Sequence, residues 1–245
     1  MHFHLPKPLH GWRAFVGEVG IIVVGVLIAL GAEQVVEAVH WKSTAAQADS
    51  AIREEVARNG GVYDERALIQ HCADTRLEEL TNLLKQVRQT RALPDIGLIG
   101  NPPDRLTVQT AWNEAASSGA LTHMDNAVRS DFAILYAQTG NYDEDIAAEQ
   151  LMWSHLRELE HAPGPISDAM LADATATAST LQFQSQIDGV VSAQAVQHMR
   201  SDKIVPSYLI ILDHEGSRAD VERDMRRRAL CKPLMVDAKP FALSH

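Results

Sequence analysis

The sequence predicts an all-α protein, with one N-terminal transmembrane helix continuing into a periplasmic helical bundle. Three observations predict it. Val19 to Ala32 reads VGIIVVGVLIALGA without a single charge. Beyond it, apolar residues recur at three- and four-residue steps, the period of a helix that buries one side. Alanine and leucine dominate an apolar share of 46%, whereas aromatics make up 5%, which favours close-packed helices over a sandwich or barrel.

The uncharged run leaves two readings open. Fourteen residues span only about 21 Å as a helix against a hydrocarbon core of roughly 30 Å. A cleavable signal peptide fits that length, and Ala29-Leu30-Gly31 offers small residues for cleavage. A retained anchor fits the flanks better. Ala14 to Gly17 before the run and Val35, Val36, Ala38 and Val39 after it extend the apolar character. Trp12 and Trp41 stand 29 residues apart, about 44 Å of helix, and tryptophan favours both membrane interfaces. The expected division is a short N-terminal segment (1–13), a transmembrane helix (14–38) and an outer domain (39–245).

Charge orients the anchor. Lys7 and Arg13 precede the run, whereas Glu33 and Glu37 follow it before the first cation, Lys42. Positive residues stay in the cytoplasm. The N-terminus is therefore expected inside a bacterial inner membrane and residues beyond about 40 in the periplasm. About a dozen cytoplasmic residues are too few for an output domain, so any work is done in the membrane or outside it. Lys7, Arg13 and Glu18 give the first 32 residues a net of +1, so the remaining 213 carry −11 of the total −10. Such an acidic exterior argues against nucleic acid and against lying flat on anionic lipid.

From Trp12 the helical pattern meets no breaker before Asn59-Gly60-Gly61, where a C-cap and turn are expected. A second helix follows, carrying Val62, Ile69, Ala73, Leu77, Leu80, Leu84 and Val87 on one stripe. After the Pro- and Gly-rich stretch 93–103, Asn101 is expected to cap a third helix ending at Gly119. Thr122 with Asp125, and Asn141 with Glu144, have capping-box spacing. The segments 123–139 and 142–161 then read as an antiparallel pair closed by Pro163-Gly164-Pro165. Residues 166–200 read as helix, and a last one falls between Ser207 and Leu230, interrupted near Gly216.

Chemistry is thinly signalled. There is no G-x-S-x-G elbow, no Cys–His signature, and no Gly-rich phosphate loop. No catalytic, cofactor-binding or metal residue is assigned. Among eleven histidines, only His155, Glu158 and His161 share a helical segment with metal-like spacing. A di-iron bundle needs two Glu-x-x-His pairs, and only one is present. His2 and His4 lie at the N-terminus without a partner motif. Cys72 and Cys231 are an even pair, expected to be a disulfide in an oxidising periplasm, the alternative being two separate buried thiols. Glu18 lies at the edge of the hydrocarbon, where an acid faces either a partner or the headgroups. Gly25 and Ala29 place small residues on one face for helix packing. In the Trp112–Leu121 run, Gly119 is expected to close a helix while Trp112, Ala116 and Leu121 pack against the next. Arg226-Arg227-Arg228 alternates with acids and reads as a solvated face.

The stretch Gly17–Leu30, GEVGIIVVGVLIAL, resembles the anchor of a widespread group of uncharacterised bacterial single-pass membrane proteins, a domain of unknown function. They share a short basic start, an acid opening the helix and a G-x-L-I-A-L core. The W-x-x-A-x-x-S-G-A-L run at Trp112–Leu121 is similar to their tryptophan–SG helix end, with one residue more before Ser118-Gly119. The resemblance implies a retained anchor and an outer helical domain; it brings no activity with it. The leading expectation is a domain that binds copies of itself or another envelope protein. The alternative is a periplasmic small-ligand module that signals through a membrane partner at Glu18, and an unrecognised enzyme is the third reading.

Overall fold

The structure, a computed structural model, describes residues 11–161 and 163–235; His2, His4 and Lys7 lie outside them. It is mostly helical. Helix α1 (Gly11–Thr90) runs unbroken for 80 residues, about 120 Å. There follow β1 (Ala92–Leu93), α2 (Thr110–Ser117), α3 (Asn126–Gln138), α4 (Tyr142–Arg157), β2 (Gly164–Pro165), α5 (Asp168–Ser201), α6 (Leu209–Leu212) and α7 (Arg218–Met225). The two short strands pair antiparallel, Ala92 opposite Pro165, and close the end of the body farthest from the N-terminus.

The expected break at Asn59-Gly60-Gly61 does not occur. These glycines serve close approach instead of a turn. A Cβ on Gly60 would lie 1.9 Å from Met199 Cε, and one on Gly61 would lie 2.0 Å from the Ser207 carbonyl oxygen. The Ser207 amide donates to the Ala57 carbonyl at 2.8 Å across that contact. Asn59 brackets an extended stretch, donating to the Val108 carbonyl (2.7 Å) and accepting from its amide (3.0 Å). Tertiary packing therefore outweighs the roughly 1 kcal/mol that each glycine takes from a helix.

Helix α5 lies antiparallel along the upper part of α1, and α4 lies along α5. Two apolar clusters result. One joins the stripe Ile69, Leu77, Leu80, Leu84 and Val87 to Trp153, Leu181 and the C-terminal Leu230 and Leu234. The other, nearer the N-terminal arm, joins Ile52, Val56 and Tyr63 to Phe132, Ile146 and Met199. Segments 123–139 and 142–161 are helical over most of their length, but α3 and α4 do not pair with each other; α4 packs on α5.

Local signals yield to tertiary ones at several other places. Asn101 caps nothing. Its amide donates to Gln150 and to the Pro102 carbonyl, and the chain stays extended to Gln109. That stretch is held by partners distant in sequence: Arg105 on Glu65, and Thr107 on Asp143. The α3 cap is Asp125, accepting from Ala127 and Val128 amides, and not Thr122. Asn141 precedes α4 but forms no side-chain cap bond.

The C-terminal stretch returns to α1. Buried Arg76 donates to the carbonyls of Leu98, Ile99, Ala229 and Lys232, gathering two loops on one guanidinium. One helical turn before it, Cys72 is joined to Cys231, with Cα atoms 4.9 Å apart. Arg228 reaches Glu65 and Asp224, whereas Arg226 and Arg227 face solvent.

Candidate functional site

The strongest candidate is the N-terminal arm of α1. Apart from Ala14, whose side chain is not described, every residue from Gly11 to His40 is exposed. The apolar window in this arm reaches a mean hydropathy of 2.4, and none of it is buried within the chain. At 100° per residue, Glu18, Gly25 and Ala29 fall within about 40° of one another, on a single face. A Cβ added at Gly17, Gly20, Gly25 or Gly31 would meet nothing within 4 Å. Trp12, at the far end, is also exposed.

Trp41 is where the arm meets the body. Its ring stacks on His123 (centroids 4.1 Å apart, planes 12° apart), and its indole N–H lies 3.4 Å from Glu37. His123 ends a short 3-10 turn, Ala120–His123, which follows Gly119. Gly119 adopts φ 81°, so the glycine closes α2 in a conformation that a Cβ would strain. Trp112 stacks on Tyr136 of α3, as expected of this run. Ala116, expected to pack, is exposed; Ala115 takes the buried position.

Beneath this seat, Glu55 of α1 replaces a local cap for α2. It accepts from the amides of Ala111 (2.7 Å) and Trp112 (3.3 Å) and from the Tyr136 hydroxyl (2.6 Å). A carboxylate at a helix start also suits the positive end of its dipole. Burial, and then the bond to Glu55, push the Tyr136 hydroxyl well above its ordinary value.

A polar layer separates the two apolar clusters. Arg66 meets Glu149 of α4 through two nitrogens (2.8 and 3.2 Å) and donates to the Ser185 carbonyl and hydroxyl of α5. Both charged side chains are almost fully buried. One turn along α5, Asp188 is 2% exposed; its Oδ1 accepts from Gln184, whereas its Oδ2 has no partner. Burial first, then the Glu149 charge, push the Asp188 carboxyl up to about 7. One cation faces two acids here, so a proton on Asp188 balances the layer.

A cleft of about 620 Å³ opens where α5 ends, lined by Arg200, Lys203, Val205, Pro206, Tyr208 and Arg218, among others. Two of the lining side chains are held by buried Asp64 of α1, which accepts from the Tyr208 hydroxyl (2.6 Å) and Arg218 (2.9 Å).

His155, Glu158 and His161 do not converge. His155 lies 3.9 Å from Glu158 and 4.0 Å from Asp173, and all three candidate side chains are exposed. Among the described residues no cluster of three metal-ligating side chains is present.

Sequence reasoning passed over Glu55, Arg66, Arg76, Glu149 and Asp188. A signal for some of them was there. Arg66 lies four residues after Val62 and three before Ile69, in register with the apolar stripe, and Arg76 lies three after Ala73. Asp188 is the one ionisable residue between Asp173 and His198. A charge at a core position of a helix marks a buried, paired group. Compared with protein-family models, curated proteins and solved structures, the chain matches none.

Proposed function

We propose that this chain is a single-pass protein of the bacterial inner membrane, with a cytoplasmic N-terminus and a periplasmic helical domain. In this reading the domain serves protein interaction, either as an oligomer of this chain or as an accessory subunit of an envelope complex. The observation that carries the proposal is the arm: an apolar helix with none of its hydrophobic window buried, continuous with a packed body. Among the described residues nothing covers that surface, and a bilayer does so at the least free-energy cost. The excess of Lys7 and Arg13 over the acids ahead of the run, and the Cys72–Cys231 pairing, support the orientation. The likeness of Gly17–Leu30 to the anchors of bacterial single-pass proteins belongs to the same reading.

Gentle solubilisation followed by native mass spectrometry tests it. The expected result is a full-length chain accompanied by copies of itself or by partner subunits. A chain lacking about 31 residues, cut after the small-residue site, would overturn the anchor. Thiol labelling of intact cells at an exposed Gln182→Cys is expected to reach the outer face, and protection there would reverse the orientation.

A second reading, a small-ligand module that signals through a membrane partner at Glu18, is favoured by the cleft at the end of α5. Arg200 and Arg218 there are paired with Asp64. Lys203, with no ion pair among the described residues, stands beside the apolar Val205 and Pro206, an arrangement that suits a small anion with an apolar part. Calorimetric titration with acyl carboxylates checks this reading; heat lost on Arg218→Ala would support it. A Glu18→Gln change that left partner binding untouched would count against the membrane contact.

A further inference from the structure

The outward face of α5 is a long uncharged surface on the body. Phe183, Ile187 and Val190 fall at four- and three-residue steps, within about 60° of arc, and are 67%, 37% and 55% exposed. Ala176 and Thr180, both exposed, continue the face towards the start of the helix, and Gln194 and Gln197 continue it towards the end. From Ala174 to Gln197 the only ionisable residue is Asp188, buried on the opposite side. The ridge is about 36 Å long. It belongs to a body whose residues 41–245 carry −9 of the chain's −10.

We propose that two copies of this chain pair through this ridge, α5 against α5, about a two-fold axis perpendicular to the membrane. The proposal rests on the interaction reading above and names its surface and its partner. Charge selects the occupant. Two bodies, each of net charge −9 over residues 41–245 once Glu33 and Glu37 of the arm are set aside, repel across most of their surfaces, and the ridge removes that repulsion where they touch. Geometry selects the symmetry. The ridge runs along α1, and α1 carries the membrane arm at one end. Two copies with their arms in one bilayer therefore stand side by side, and their ridges meet parallel and in register. An isologous contact places each ridge residue near its own equivalent, with Phe183, Ile187 and Val190 at the centre. Confinement to one membrane raises the effective concentration, so a face with three apolar anchors suffices.

The test uses full-length protein in bilayer nanodiscs. Oxidative cross-linking of Val190→Cys and Gln194→Cys is expected to give covalent dimers, and Gln182→Cys, a quarter-turn off the ridge, is not. The double change Phe183→Glu/Val190→Glu is expected to lower the dimer fraction at least ~10-fold. Its melting temperature should match the parent, because both side chains are exposed. Equal cross-linking at 182 and 190, or a dimer indifferent to the two glutamates, would overturn the ridge while leaving self-association standing. A full-length monomer throughout would overturn both. A different protein released by the double change would keep the ridge and overturn the second copy as its occupant.

Discussion

Helix α1 runs without a break through two lengths that differ in what surrounds each side chain. Over residues 11–40 glycines lie in open space, no charge interrupts the run from Val19 to Ala32, and apolar side chains face outward on every side. Over residues 41–90 the same helix buries Glu55, Arg66 and Arg76, and its glycines touch neighbouring chain. Backbone geometry is shared, so the difference lies in the side chains: the first length is apolar enough to cross a membrane, and the second is packed against the rest of the chain. A bilayer surrounds a helix uniformly and tolerates neither a bare charge nor a need for specific partners. The body surrounds it unevenly, and there a buried charge is held by named groups. Glu149 and Ser185 hold Arg66, and loop carbonyls hold Arg76.

The comparison breaks most sharply where a cation is moved from one length to the other. Arginines at Val24 and Leu27 are expected to cost about 2.5–3.5 kcal/mol each in insertion. Sedimentation should then find the chain outside the membrane fraction; unchanged membrane recovery would end the anchor reading. In the body the reverse change is harmful. Arg66→Met leaves Glu149 buried without its cation and should lower stability by about 3–5 kcal/mol in a denaturant melt.

Glycines sharpen the contrast at smaller scale. Gly61→Ala places a methyl against the Ser207 backbone and should destabilise the body by about 1–3 kcal/mol. Gly25→Ala meets nothing within the chain and should leave the body's melting temperature unchanged. Calorimetry of the two variants side by side decides whether the arm is truly unpacked.

The smallest expected effect is on pH. Asp188 binds its proton more tightly folded, up to about 7, than unfolded, at its ordinary 3.8. That stabilisation is complete below about pH 4 and is lost as the pH rises through about 7. Between pH 6 and pH 8 the body should lose about 1 kcal/mol, and Asp188→Asn should abolish that part of the slope. A parent and variant with identical slopes would show that Asp188 does not titrate in this range.

Much of the helix content was legible because it is written locally. The stripe from Val62 to Val87 follows from period, the interruption near Gly216 from punctuation, and the helical stretch 166–200 from a composition rich in Ala, Thr, Ser and Gln. The continuity at Asn59-Gly60-Gly61 was not legible. A Gly pair reads as a turn until Met199 and Ser207, far along the chain, are seen to need the room. The candidate arm could be read from composition, whereas its seat could not. Trp41 on His123, and Glu55 on the start of α2, join residues 82 and 56 apart in the chain.

By itself the sequence determined most of the helical segments and where the chain turns from apolar to amphipathic, since both depend largely on neighbours within a turn or two. Only the tertiary structure decided which helices pair, which of the charges are buried, and which face of α5 remains uncovered. Those outcomes depend on contacts between distant segments. There, excluded volume and the need to partner every buried polar group override local preference.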